Sequence, residues 1–438
     1  MATYADREAF IPYRRTDLID LCVEDGKLQG AEVKKFREFC EIVSAYYHFD
    51  FHQVLEGIKN NFAHLDPDTD TKPKNVPTAQ ECKTREEELV KQFQSVLERA
   101  NYKRLTEEEW KIAKEQDSLI KLNMDVDFDD FEIWRCYHRG DGKTTTQIKK
   151  LFKKIDFTMD TYERVVLLLK FRDEAYFKSK GRKLDTLNFT PGKMYVYFYK
   201  KIPKADMEIL FPNVSISMKL KDRLLLFVPA AGAGLLTLLK VLGSLLLLAG
   251  ILFLMCGFPG LAELFDKNIA KRDPHDLKTI IAALTGLGIL GGFVFKQYVS
   301  YKNKRLKFLK DVTDTLFFRN LDCNGGVFKS IVDSAEEEEC KEVVLAYYHL
   351  MTNKSPLNEE QLDNTIEEWL EKKFNTKIDF AVSKAIGKLE AMKGKLKEDG
   401  PDVAVLSRDS NGICKVLALD EAKTVVDYVW DNFFQYND

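Results

Sequence analysis

The sequence predicts an α+β protein anchored in a membrane. An N-terminal α+β domain leads to a transmembrane helical hairpin and then to a mostly helical, winged-helix-like C-terminal domain. Three observations predict this. Helical apolar spacing gives way to β-type alternation over residues 1–218. Two long apolar runs occupy residues 219–298. The elements of residues 299–438 end in the order helix, helix, strand, strand, helix.

In the first region Phe36, Phe39, Cys40, Val43, Tyr47, Val54, Leu55, Ile58 and Phe62 keep near-helical spacing. Asp66–Thr78 holds three prolines and several aspartates and reads as a loop. Glu86–Ala100 reads as a second helix, and Thr106 with Glu109 is a capping-box signal that opens a third at Trp110. Leu119–Val126, Phe131–Tyr137, Val165–Phe171, Met194–Lys200 and Val214–Met218 are rich in β-branched and aromatic residues. They predict a small mixed sheet.

The apolar runs are Leu224–Phe258, interrupted only by Lys240, and Thr279–Phe295. A span of ~30 Å needs roughly 20 residues. The predicted spans are therefore about 240–258 and 279–298, with 224–239 as an interfacial or re-entrant segment. A charge at the bilayer centre costs about 3 kcal/mol, so Lys240 belongs at the boundary, where its head can reach water. Lys219, Lys221 and Arg223 precede the first run, and Lys296, Lys302, Lys304 and Arg305 follow the second. These basic flanks place both termini on the cytoplasm-like side of an inner, cytoplasmic or organelle membrane. Gly286, Gly288 and Gly292 would let a second helix approach closely. The opening residues carry no apolar signal-peptide core, and the eight cysteines form no CxxC pair, which suits a reducing compartment.

In the last region Ser334–Met351 reads as a helix whose first turn holds Glu336–Glu339, solvated and favoured by the macrodipole. Asn358 caps Glu359–Phe374, and Asp379 caps Phe380–Met392. Strands Val403–Leu406 and Cys414–Leu417 and a helix over Leu419–Phe434 follow. Leu357–Asp438 has 11 basic and 17 acidic residues, so this winged-helix-like module is predicted to bind protein or pack on its own neighbour rather than bind nucleic acid. For the whole chain, 66 basic and 69 acidic residues leave a net charge of −3, which excludes a polybasic nucleic-acid binder.

Few residues carry chemistry. Gly140-Asp-Gly-Lys-Thr144 has the end of a phosphate-binding loop, but the earlier glycine position is Tyr137. A hairpin turn or basic loop is the better reading, with a helix expected over Thr146–Lys154. His48, His52 and Glu56 share a helix face at i, i+4, i+8, the spacing of weak metal candidates. No general-base glutamate follows His48, and an ordinary polar face weighs more. The carboxylate–histidine pattern of di-iron bundles fails because Ala346 stands one turn before His349. No GxSxG occurs, and six histidines offer little acid–base chemistry. No catalytic residue and no cofactor is expected. The reading leans away from an enzyme, toward an interaction or scaffold protein. The alternative is a homo-oligomeric channel or transport component.

Several short elements in fixed order carry a resemblance. They are Arg7-Glu-Ala-Phe-Ile-Pro-Tyr-Arg-Arg-Thr-Asp-Leu18, Tyr199-Lys-Lys-Ile-Pro-Lys-Ala-Asp-Met207, Leu210-Phe-Pro212, Lys221-Asp-Arg223, Phe317-Phe-Arg-Asn-Leu-Asp-Cys-Asn324, Ala335–Tyr348 and Trp430-Asp-Asn-Phe433. Around a two-span hairpin they resemble an uncharacterised domain-of-unknown-function family with bacterial and plant members. A mitochondrial transmembrane protein of animals is similar. Cys323 departs from the acidic or polar residue expected there. The resemblance implies membrane attachment and brings no catalytic residues. The partners it leaves open are the lipid bilayer, a protein on the cytoplasm-like side and further copies of the chain.

Overall fold

The computed structural model describes residues 7–75, 77–106, 108–111, 122–150, 153–218, 277–397 and 399–434, with scattered positions between 242 and 262. The chain divides into two compact units.

The larger unit comprises residues 1–118, 127–207 and 319–438. It opens with helices α1 (Arg15–Glu24), α2 (Ala31–Phe62) and α3 (Ala79–Arg99). Helix α3 begins seven residues before its predicted start. Thr78, the last residue of the expected loop, forms a reciprocal capping box with Glu81. An antiparallel sheet follows: β1 (Lys103–Arg104), then β3 (Phe131–Lys150), β4 (Lys153–Phe171), β5 (Met194–Pro203) and β7 (Asn320–Cys323), in spatial order β1-β3-β4-β5-β7. The strand β2 (Leu122–Asp125) belongs to the other unit. The predicted helix over 146–154 is absent. Of those residues, 146–150 and 153–154 belong to β3 and β4, which pair in register from Arg139↔Arg164 to Lys150↔Lys153.

Between β4 and β5 lies the short α4 (Glu174–Ser179). The second unit, residues 119–126 and 208–318, pairs β2 with β6 (Ser215–Met218) and contains α5 (Leu277–Arg319). The expected transmembrane hairpin is corrected here. Among the described residues no helix is long and apolar enough to cross a membrane. The predicted span over 279–298 forms part of the longer helix α5. The helix then runs on unbroken through Lys296, Lys302 and Lys310 to Arg319. Segment 224–239, Lys240 and most of 240–258 lie outside the described residues. The membrane-anchored fold class and the integral-membrane localisation are withdrawn with the hairpin, and the channel alternative rested on the same spans. Gly288 and Gly292 are exposed on α5, with nothing against the position a Cβ would take. Gly286 is helical.

Back in the larger unit, α6 (Gly325–Thr352) starts directly after β7. Asn324, at φ 48°, turns the chain. Its backbone N–H donates to Val196 O at 2.7 Å, and its side-chain oxygen accepts from Val196 N–H at 3.1 Å. From Glu338 to His349 every residue of α6 is buried, because helices pack on all its sides. Phe93 and Phe62 of α3 and α2 meet Phe328 edge-on at 4.9 Å. Phe39 meets Tyr347 at 4.4 Å. The chain closes with β8 (Leu357–Asn358), α7 (Glu359–Phe374), α8 (Val382–Ala391), strands β9 (Lys393–Lys395), β10 (Asp402–Ala404), β11 (Leu406–Arg408) and β12 (Ile413–Val416), and α9 (Leu419–Asp431). Strand β12 lies between β11 and β8, while β9 pairs with β10. The Asn358 cap of α7 is present, reinforced by Gln361. The start of α8 instead lacks a side-chain cap.

Replacing Phe328 by Ala removes a ring buried among three helices. It is expected to cost about 3–5 kcal/mol in urea unfolding. A second expectation concerns His349, buried with both ring nitrogens unpartnered and its ring edge-on to Trp369. Burial lowers its pKa to about 4. The unfolded chain takes this proton near pH 6.5, the folded chain only near pH 4, so protons favour the unfolded state between those values. Relative to His349→Leu, the wild type should lose up to about 3 kcal/mol as pH falls through that window, with no change in the difference above pH 7. Equal pH slopes for the two proteins would refute it.

Candidate functional site

A cleft of about 540 Å³ opens between α2, α3 and α8. Its walls include Tyr46, Tyr47 and Asp50 of α2, Ser95, Glu98 and Arg99 at the end of α3, and Lys384, Gly387 and Lys388 of α8. Glu339 of α6 also lines it. The sequence reading placed Glu336–Glu339 in a solvated first turn. The helix begins eleven residues earlier than Glu336, so these glutamates sit in its interior, and Glu338 and Glu339 are buried.

Each buried carboxylate on α6 has a cation or backbone donor. Arg99 grips Glu339 with both arms, Nε to Oε1 at 2.7 Å and Nη2 to Oε2 at 2.9 Å. The same Nη2 donates to Asp50 Oδ2 at 2.9 Å. Lys388 Nζ lies 2.6 Å from Glu342 and 3.4 Å from Glu339. Lys341 Nζ donates to Glu338 at 2.9 Å and to Ile11 O at 3.0 Å, and Ile11 N–H returns a bond to Glu338. Burial alone would lower the Arg99 pKa, but Glu339 and Asp50 outweigh it and hold it raised. Burial pushes the Glu338 carboxyl up against the pull of Lys341. The Tyr46 phenol is raised by burial and by nearby Asp50, so it stays protonated at neutral pH. Lys384 differs from its neighbours. Its ammonium, on an exposed side chain, donates to Glu98 O and Asn101 Oδ1 and has no carboxylate partner among the described residues.

At the α2 wall the cleft continues into partly exposed rings. Phe49 meets Trp430 at 5.1 Å, Phe433 at 6.2 Å and Phe434 at 5.8 Å, and Tyr46 meets Phe433 at 5.7 Å. Helix α9 carries Trp430 at its last turn, so α2 and α9 together build this aromatic lip.

The residues singled out in the sequence fall elsewhere. On α2, exposed His48 lies 3.2 Å from Glu336 Oε2, and Glu56 pairs with Lys59 at 2.7 Å. His52 is exposed. Among the described residues no three His, Cys, Asp or Glu side chains are grouped to hold a metal ion. Gly140 lies inside β3 rather than in a loop. Its φ is +79°, and a Cβ there would stand 2.7 Å from Glu163 Cβ. At Gly142 the same side chain's Oε1 would come within 2.6 Å. The two glycines make room for Glu163 across the ladder and do not cradle a phosphate. Arg99, Asp50, Lys384 and Lys388 were not legible as site residues. They are spread over three helices and belong to no motif.

Two comparisons bear on this geometry. Residues 162–326 match the model of a family described as protein of unknown function (DUF3754). The match runs from β4 through β5 and α5 to the first residues of α6. A domain of unknown function is therefore found, as the sequence resemblance implied, whereas the two-span character attached to it is not supported. No solved structure matches the chain.

Breaking one arm of the buried network tests its weight. Arg99→Met leaves Glu339 without its bidentate partner and is expected to cost about 3–5 kcal/mol. The double variant Arg99→Met/Glu339→Met should recover most of that loss, since two apolar side chains replace two charges. Additive losses in a denaturation cycle would count against coupling.

Proposed function

We propose that the chain is an interaction or scaffold protein whose partner docks on the aromatic lip of the Arg99 cleft. The observation that carries this reading is the clustering of Tyr46, Phe49, Trp430, Phe433 and Phe434, with Phe434 45% exposed, beside an arginine-centred groove. Aromatic residues and arginine are the types enriched where protein partners bind, and buried rings supply most of the energy there. The pairing inside the cleft supports binding over reaction. Arg99, Asp50, Glu339 and Lys388 hold one another, so each would have to give up a partner to act as acid, base or nucleophile.

The arrangement suits a partner segment with an apolar or aromatic anchor followed by a carboxylate. The anchor would enter among Phe49, Trp430 and Phe433. The carboxylate would reach Lys384, which among the described residues is bonded to a backbone carbonyl and an amide oxygen rather than to a carboxylate.

Quantitative affinity purification with the wild type and with Trp430→Ser/Phe433→Ser, at matched folded amounts, tests the reading. Loss of such anchors typically removes about 2 kcal/mol or more, so at least one partner should fall by more than about tenfold. Identical partner profiles, or turnover of a small molecule that depends on Arg99, would overturn it.

A further inference from the structure

A second cavity, of about 330 Å³, lies away from the Arg99 cleft. It is lined in part by Phe10, Pro12, Arg139, Arg164, Lys377 and Ile378. Arg139 and Arg164 are direct partners across the β3–β4 ladder. Arg139 is 8% exposed. Its guanidinium donates one hydrogen bond, Nη1 to Ala100 O at 3.0 Å, and stacks on Phe10 at 3.8 Å and Tyr102 at 4.6 Å. Arg164 donates to its neighbour's carbonyl, Glu163 O, at 2.9 Å. Among the described residues neither arginine has a carboxylate within ion-pair distance.

Three acids also line the cavity, and two of them, Glu8 and Asp141, have other partners. Glu8 Oε1 accepts the Asp141 backbone N–H at 2.6 Å, and Asp141 pairs with Lys204 at 2.6 Å. Glu163 lies along Gly140 and Gly142.

The magnitudes leave a deficit. Taking an ion out of water costs several kcal/mol, and only a well-placed counter-charge offsets it. A ring face returns about 0.5–2 kcal/mol, and a single bond to a carbonyl about 1.5–3 kcal/mol. Elsewhere in this unit half-buried Arg99 and buried Lys341 both meet carboxylates. Consistent with the deficit, burial depresses the Arg139 pKa below its ordinary value.

We propose that this cavity binds a small organic oxyanion, a carboxylate or phosphate with an apolar body. The oxyanion would sit on Arg139 and Arg164, and the apolar body against Phe10, Pro12 and Ile378. Two planar guanidinium forks suit the oxygens of a carboxylate or phosphate. The glycine-rich stretch earns its place by the same geometry. Gly140 and Gly142 let Glu163 lie flat along the ladder.

Calorimetric titration of the full chain with benzoate, phenyl phosphate and inorganic phosphate tests the proposal, with benzamide as the uncharged control. Saturable binding of at least one anion and none of benzamide is expected. Benzoate alone would identify a carboxylate site, and the two phosphates a phosphate site. Arg164→Met, on the half-buried partner, should weaken binding at least about tenfold, the loss of one charge-assisted contact. Arg139→Met should abolish it. If Arg139→Met does not fold, Arg164→Met decides. Absence of saturable binding to the wild type, or unchanged affinity in a folded variant, overturns the proposal. Neither variant touches the aromatic lip, so this outcome is independent of partner docking.

Discussion

The fold depends on charges buried along one helix. Helix α6 carries Glu338, Glu339, Lys341 and Glu342 through the larger unit, and three separate segments satisfy them. Ile11 answers Glu338 and Lys341, Arg99 answers Glu339, and Lys388 answers Glu342. Apolar packing would hold these segments near the helix in many registers. Hydrogen-bonded ion pairs allow only the arrangement in which every charge finds its partner, because a stranded buried charge costs several kcal/mol. The same pairs fix the cleft, since its floor and two of its walls are the three helices they join.

How much of this was legible in the sequence follows from the range of the forces involved. Local signals read correctly. The Asn358 cap, the Thr106–Glu109 capping box and the apolar periodicity of α2 all lie within a few residues of the structure they specify. Helix α6 was placed, but its environment was misread. Four consecutive glutamates suggest water when taken alone. The run Val343-Val-Leu-Ala-Tyr-Tyr-His349 just beyond them is apolar on every face, and that is the mark of a helix surrounded on all sides. Read together, the two stretches would have signalled buried, paired carboxylates.

The other misreadings have the same origin. Thr146–Lys154 has a helix former's composition, yet the residues on either side are committed to a ladder, and cross-strand pairing carried through. The apolar stretch of α5 suggests a span in sequence, but its helix continues into lysines, and among the described residues no helix is long and apolar enough to cross a membrane. The cleft residues were invisible for a plainer reason. Asp50, Arg99, Glu339 and Lys388 are far apart in the chain, and no spacing rule joins them.

The pairing of Ile11 with Glu338 also has a consequence in time. The two residues are separated by 327 positions. A ribosome adding about 5–20 residues per second needs roughly 15–65 seconds to cover that distance. Once α3 ends at Arg99, the apolar faces of α1, α2 and α3 exist for the rest of that interval without the helix they surround. The nascent chain must therefore be shielded by holding factors or by provisional contacts. Folding of the larger unit becomes an event that waits for the synthesis of α6.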